Sequence, residues 1–389
     1  MELKTIAQQA ELKGLMLVGT GDALHPRWLE SIKSELGTVG EGVFAHPEFS
    51  TSFILTAEIE DIHRVHHLVL MPDLGIAEEL RSVFSKYSED IDSDGRAKVA
   101  LRASEIVDIV VERGCAVGPA HAFTPWTSMY KEFNSLTECY GDASKKVSFL
   151  ELGLSADTEM ADRIPELHSL NFLSCSDAHS PWPDRLGREF NRLEIQDLQF
   201  SEVIKAINQQ GGRKISLNVG FDPRLGKYHL TACTRCFKHY EVARAEELRW
   251  RCANCGGLIK KGVRDRVNEL AQLDRPAHPE HRPPYLRIAP LAEVIALALG
   301  EKDTHAPSVG LNWNALVSEF GNEISVLIDA PVEDVERVVG RKIAEVIKAF
   351  RSGNLKVVAG GGGRYGRLEL PPEVEQMLTP QRTLAEFGL

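Results

Sequence analysis

The chain has 389 residues, 43% of them hydrophobic and 26% charged, with a formal net charge of −11. Such a length suggests two or three folding units of ordinary globular composition. No run of about eighteen apolar residues occurs, and Met1-Glu2-Leu3-Lys4 opens a mixed polar segment unlike a signal peptide, so the reading is cytoplasmic and the odd count of seven cysteines argues against a disulfide framework.

In chain order, apolar spacing predicts a helix over Lys4–Lys13 and a buried strand over Leu15–Val18. That strand runs into Gly19-Thr20-Gly21-Asp22-Ala23-Leu24-His25-Pro26, placing a carboxylate and an imidazole at a strand end. Ser52–Thr56 and Leu68–Met71 read as strands, with Glu58 after the first and His66-His67 before the second. Ala97–Arg113 reads as a helix, and His121 follows Gly118-Pro119-Ala120. Ser148–Leu152 is a strand bearing Glu151, and Ser176-Asp177-Ala178-His179 ends another apolar run. Alternating strands and helices over residues 1–200 point to an α/β layer or barrel. In a parallel barrel, functional groups collect where strands give way to loops. Any one of these polar groups is more often a cap or a satisfied core group. Six sites in one unit, most beside a strand, form a His/carboxylate set suited to Zn or Mn. Two or three ions so held can generate hydroxide and stabilise an in-line attack on a phosphoester.

Residues 201–225 read as a connector. Cys233-x-x-Cys236 and Cys252-x-x-Cys255, fifteen residues apart, have zinc-ribbon spacing. Four thiolates close a tetrahedral site with no open position, so its expected role is structural; a redox dithiol pair is the weaker alternative. Residues 201–290 hold 17 Lys and Arg against nine Asp and Glu, a surplus of eight that leaves −19 on the remainder. Around the cysteines, Arg235, Lys238, Arg249, Arg251, Lys260 and Lys261 can meet phosphate, though scattered surface charge gives a similar count. A Pro- and Arg-rich stretch over 275–284 reads as a loop, and Leu291–Leu299, Trp313–Phe320 and Val332–Arg351 read as helices. Gly360-Gly361-Gly362-Gly363 precedes Arg364-Tyr365-Gly366.

Gly19–Pro26, His66–Pro72, Gly118–Trp126 and Cys175–His179 resemble the polymerase-and-histidinol-phosphatase (PHP) domain. Together with the ribbon and a helical tail ending in a glycine-rich Arg-Tyr-Gly motif, they make essentially the whole chain resemble the endonuclease Q family. The resemblance implies a distorted β/α barrel with a multinuclear metal site, an inserted zinc ribbon and a helical C-terminal domain. The expected units are 1–225 (catalytic), 226–265 (ribbon), 266–372 (helical) and 373–389 (tail). Carried over by motif, Asp22, His25, Glu58, His67, His121, Asp177 and His179 would ligate two or three divalent ions (Zn, Mn or Mg), with Asp22, His25, Asp177 and His179 as the catalytic set. Glu151 and His66 would stand behind them. The family's PHP domain opens with a strand bearing His-x-His, and none lies ahead of Asp22. A start codon assigned too late is the preferred reading of that difference, with truncation or degeneration as the others.

By resemblance, the expected activity is hydrolysis of DNA on the 5′ side of uracil, hypoxanthine, xanthine or an abasic site. A flipped base would meet main-chain donors of the glycine run, with Gly361, Arg364 and Tyr365 as candidate DNA or base contacts; a flexible turn between strands is the plainer reading. Gln381-Arg382-Thr383-Leu384-Ala385-Glu386-Phe387 resembles the sliding-clamp (PCNA) motif. Gln381, Leu384 and Phe387 would bind the clamp, although Gly388 replaces the second aromatic. Two rival readings stand: a PHP phosphatase on a small phosphomonoester, and a non-catalytic DNA-binding PHP protein.

Overall fold

The computed structural model describes residues 2–372 and 374. Its first sheet contains β1 (Leu17–Gly19), β2 (Gly37–Gly40), β3 (Val43–Ala45), β4 (Ser52–Glu60), β5 (His66–Met71), β6 (Ala97–Lys98) and β7 (Ala116–Pro119). β4 is its spine, pairing with β1, β3, β5 and β6, while β7 continues the sheet beyond β5. The pairings β3–β4, β4–β5 and β5–β7 are antiparallel, so the expected distorted barrel is built on a mixed sheet. The reason lies in the short β4–β5 connection, Asp61–Val65, which has no room for the crossover that parallel neighbours require.

The wall continues through β8 (Phe149–Glu151), which pairs in parallel with β9 (Asn171–Leu173). β10 (Phe190–Glu194) and β11 (Lys214–Phe221) follow. Asn218 ties them to β9 by donating from Nδ2 to the Phe172 carbonyl at 2.9 Å. The result is a curled half-barrel.

Strand alternation sorts the side chains. Phe53, Leu55, Ala57 and Ile59 of β4 join Val69 and Met71 of β5 in a core with the outer helices Leu3–Lys13, Pro26–Glu35, Leu74–Phe84 and Ala103–Val111. Ile54 and Leu70 face the concave side with Phe149, Leu173 and the helix Phe200–Ile207. The half-barrel does not close among the described residues. β1 pairs only with β4 and β10 only with β11, and a groove of about 880 Å3 lies between Leu15–Thr20 and Phe190–Leu193.

The ribbon holds β12 (Ala232–Cys233) and β13 (Ile259–Lys260) around a small core of Tyr240, Ala245 and the cysteines. The following helix, Val263–Leu270, buries Val263, Val267 and Leu270 in the half-barrel core. β14 (Tyr285–Ile288) then pairs in parallel with β11, so the stretch read as a loop leads back onto the half-barrel. Arg282 anchors it: buried, it pairs with Asp162 at 2.9 Å and lies 3.5 Å over the Phe172 ring. The C-terminal helices are Leu291–Leu299, Pro307–Phe320, Glu323–Ile328, Val332–Val339 and Arg341–Arg351. The predicted single helix over 332–351 is broken at Gly340, whose φ of 80° lies outside helical space. β15 (Lys356–Val358) and β16 (Arg367–Glu369) form a hairpin with the glycine run at its tip.

Candidate functional site

In the β4–β5 hairpin Glu60 lies opposite His66 and Glu58 opposite Leu68, so Glu58, Glu60 and His66 share the concave face. His121, after β7, completes the group. His66 Nδ1 lies 3.0 Å from His121 Nε2 and 3.4 Å from Glu58 Oε2, and His121 Nε2 lies 3.8 Å from Glu58 Oε1. One carboxylate and two imidazoles, all donors within 4.8 Å of one another, can hold a metal ion. Ligands about 2.0–2.2 Å from one ion stand roughly 3–4 Å apart, so these side chains fit a divalent cation. Their outer nitrogens are also engaged: His66 Nε2 with Glu60 Oε2 at 3.0 Å, His121 Nδ1 with Thr124 Oγ1 at 3.2 Å. Such outer partners orient ligand imidazoles.

Burial pulls the Glu58 carboxyl upward, but His66, His121 and Arg96 outweigh it and bring it to about 2. Glu151 is buried and accepts from the His121 amide at 3.1 Å. Burial, then the Glu58 and Asp177 charges, push its carboxyl well above the usual range. Asp22, Glu58, Glu151, Asp177 and His179 all line the groove. His25 does not, but begins the helix Pro26–Glu35 close enough for its charge to act on Asp22. Burial and Glu58 raise the Asp22 carboxyl. Asp22, His121 and Asp177 hold positive φ values of 48°, 32° and 44°. Non-glycine residues adopt this conformation at a cost of about 1–3 kcal/mol, and such strain gathers at functional sites.

One expected placement is exchanged. His67 was expected among the ligands and His66 behind them, but His67 points to the outer face. There it is fully buried between Tyr140 Oη at 2.9 Å and Asp61 Oδ2 at 3.3 Å. The cause is the period of two along β5: adjacent histidines cannot both face the groove. Glu60, Thr124 and Arg96 were not foreseen. Glu60 had a signal, since it lies two residues beyond Glu58 on the same strand face.

In the ribbon, Cys233 and Cys236 sit with Cys252 and Cys255 in one cluster. The Sγ–Sγ separations Cys233–Cys255 and Cys236–Cys252 are both 3.5 Å. A tetrahedral zinc with bonds of about 2.3 Å needs edges of roughly 3.8 Å, so the residues fit that ion with small adjustments. Tyr240 Oη, 3.0 Å from Cys252 Sγ, donates to its thiolate and lowers the thiol to about 6.

The glycine run differs from the expected display of free donors. The amides of Gly360, Gly363 and Gly366 donate to the carbonyls of Arg224, Lys227 and Leu225, and that of Gly361 to Arg364. A Cβ at Gly361 would meet the Leu230 carbonyl at 2.8 Å, and one at Gly362 would collide with the Cys233 carbonyl. These glycines therefore let the hairpin tip dock beside the ribbon. Gly361 is buried, whereas the Arg364 and Tyr365 side chains are exposed. Gln381, Leu384 and Phe387 lie outside the described residues.

Fold and site define a two-centre protein: a half-barrel bearing a carboxylate–imidazole group, joined to a four-cysteine ribbon. Comparison with known proteins places it further. The family model of the MJ0043 C-terminal domain matches residues 290–354. The chain is 46% identical over 269 residues to the uncharacterized protein MJ0043 of Methanocaldococcus jannaschii, a match covering 68% of this chain but only 33% of that protein. It is 34% identical over 381 residues to the uncharacterized protein YqxK of Bacillus subtilis, covering 94% and 92% of the two. Its structure is similar to the lesion-specific endonuclease PfuEndoQ of Pyrococcus furiosus, with a TM-score of 0.91 and 49% identity over 100% of this chain and 94% of the other. It is equally similar, with a TM-score of 0.91 and 51% identity over 96% and 93%, to Endonuclease Q in complex with a 27-mer duplex bearing an abasic lesion at the active site. The chain belongs to the endonuclease Q family. Among the described residues no helix is long and apolar enough to cross a membrane.

Proposed function

We propose that this chain is a metal-dependent DNA-repair endonuclease that hydrolyses the phosphodiester 5′ to a deaminated base or an abasic site. The observation that carries the reading is the Glu58–His66–His121 group beside the acidic groove, in a chain similar over its full length to a lesion-specific endonuclease. Glu58, His66 and His121 would hold divalent metal, with Asp22, His25, Asp177 and His179 as further ligands or catalytic groups near the groove; metal held there would supply water activation and Lewis acidity toward the phosphate. Glu60 and Thr124 fix the two imidazoles. The Arg96 guanidinium, 3.9 Å from Glu58 and 3.8 Å from Glu60, is a cation placed to meet a phosphate oxygen. The four cysteines hold a structural zinc.

The test is a labelled duplex with one central uracil, hypoxanthine or abasic site, incubated with Mn, Mg or Zn. A nick just 5′ of the lesion is expected, lost in His66→Ala with the melting temperature unchanged. An uncut duplex with every metal, or full activity in His66→Ala, would sink the reading. Gln381, Leu384 and Phe387 are proposed to engage a sliding clamp. Deleting 381–389 should abolish co-purification with the clamp while leaving nicking intact; equal recovery would remove this partner.

A further inference from the structure

The loop that begins with His121 ends at an exposed tryptophan. Trp126 is 53% exposed, and the Lys260 ammonium of the ribbon lies 3.8 Å over its ring. Tyr228 meets Trp126 edge-on at 6.0 Å. Lys227 reaches the Tyr228 ring at 5.9 Å and the Tyr365 ring at 5.4 Å, and Tyr365 is 60% exposed. Three aromatic rings and two ammonium groups thus form one ridge. They come from the His121 loop, the two ends of the ribbon segment and the docked glycine turn.

The loop is firmly built. Thr124 Oγ1 donates to the Trp126 carbonyl at 2.7 Å, the His66 amide donates to the Thr127 carbonyl at 3.2 Å, and Lys260 Nζ donates to the Pro125 carbonyl at 3.4 Å. The first ties Trp126 to Thr124, the partner of His121, and the second ties the next residue, Thr127, to His66 of the candidate metal group. An exposed tryptophan held this way, with a cation on one face, a tyrosine at its edge and about half its surface in solvent, is poor packing but a good platform. Aromatic rings interleaved with ammonium groups suit unpaired nucleotides, whose bases stack on rings and whose phosphates meet cations. A duplex presents its phosphates but keeps its base faces covered.

We infer that the ridge Lys260–Trp126–Tyr228–Lys227–Tyr365 is a stacking track for unpaired nucleotides, with Trp126 as its principal platform. The inference rests on the nuclease reading for its purpose: the track would hold strand opened beside a lesion. Its test does not require nicking. Binding of labelled oligothymidine and of an undamaged duplex is followed by anisotropy for the wild type, Trp126→Ala and Trp126→Phe. Stacking on an aromatic side chain is worth about 1–3 kcal/mol per base, so Trp126→Ala should weaken oligothymidine binding by about fivefold or more. Duplex binding should stay within about twofold, and Trp126→Phe should recover most of the loss. Unchanged melting temperature is expected for both variants because the ring is half in solvent. Equal losses on both ligands, or none on oligothymidine, would overturn the track. A wild type that fails to nick damaged duplex yet shows this selective loss would remove the nuclease reading and keep the track.

Discussion

Glu189 shows how a single buried group reports on the groove. It is 2% exposed, Oε1 accepts from the Phe221 amide at 2.8 Å, and Oε2 has no hydrogen-bond partner. Burial pushes its carboxyl up to about 8, against the opposing pull of the Phe221 amide and Arg188. The folded state therefore holds this proton more tightly than the unfolded chain. The stability this contributes is full below the ordinary glutamate value near 4.5 and is lost as pH rises through about 8. Glu189→Gln keeps a neutral side chain at every pH. The variant should gain on the wild type between pH 5 and 9, by an amount on the order of a few kcal/mol. Melting curves of both proteins across that range check it; parallel pH profiles would refute the burial argument. The two histidines of β5 teach a different lesson at the same scale. Their chemistry was visible in the sequence, but which of them faces the groove depends on strand parity. Parity is settled by the pairing of Glu60 with His66, a register that no local pattern reveals.

At the scale of elements, the first helix ties the half-barrel to the helical unit through one buried ion pair. Lys13 Nζ lies 2.6 Å from Glu323 Oε1 and donates to the Pro183 carbonyl at 2.7 Å, and both charged side chains are fully buried. Glu323 also accepts from the Leu291 amide at 3.0 Å and from Trp313 Nε1 at 2.8 Å. Three donors converge on it from three helices. Removing one partner of a buried pair leaves the other uncompensated, at a cost of about 3–5 kcal/mol. Glu323→Ala should therefore lower unfolding free energy by about that amount, and Lys13→Ala by a similar one, with non-additive effects in the double variant. Denaturant titration of the three proteins checks this; additive losses would mean that the two residues do not act as a pair. The helices themselves were legible, and Leu291–Leu299 matches its predicted bounds. Their apolar spacing is local. The contact of Lys13 with Glu323, 310 residues apart, is not. The predicted helix over 97–113 fails for a related reason: Ala97 and Lys98 are drawn into a short pairing with β4, and the helix begins only at Ala103.

For the molecule as a whole, the four-cysteine spacing and the order of motifs made the two centres legible, because ligand chemistry demands particular residues at particular spacings. The open flank between β1 and β10 follows from which strands find partners, and the mixed sheet from a five-residue connection. The anchoring of 275–284 on the half-barrel through Arg282 was hidden behind a composition that reads as a loop. Charge asymmetry was legible as well, and it bears on how an acidic protein meets DNA. The chain's net charge of −11 should repel a duplex at long range, so binding has to run through the basic middle. Lys238 and Arg251 of the ribbon are exposed and make no ion pair among the described residues. Each phosphate contact released with salt contributes a slope of about −0.9 in log K against log salt on duplex DNA. If the ribbon meets the backbone, the double variant Lys238→Ala/Arg251→Ala should flatten that slope by about 1–2 units. Affinity should fall most at low salt, while turnover under saturating enzyme stays near wild type, because neither residue lies in the groove. Anisotropy titrations between low and physiological salt measure the slope directly. An unchanged slope would place the duplex on another face and leave the surplus of positive charge in residues 201–290 without a role in DNA binding.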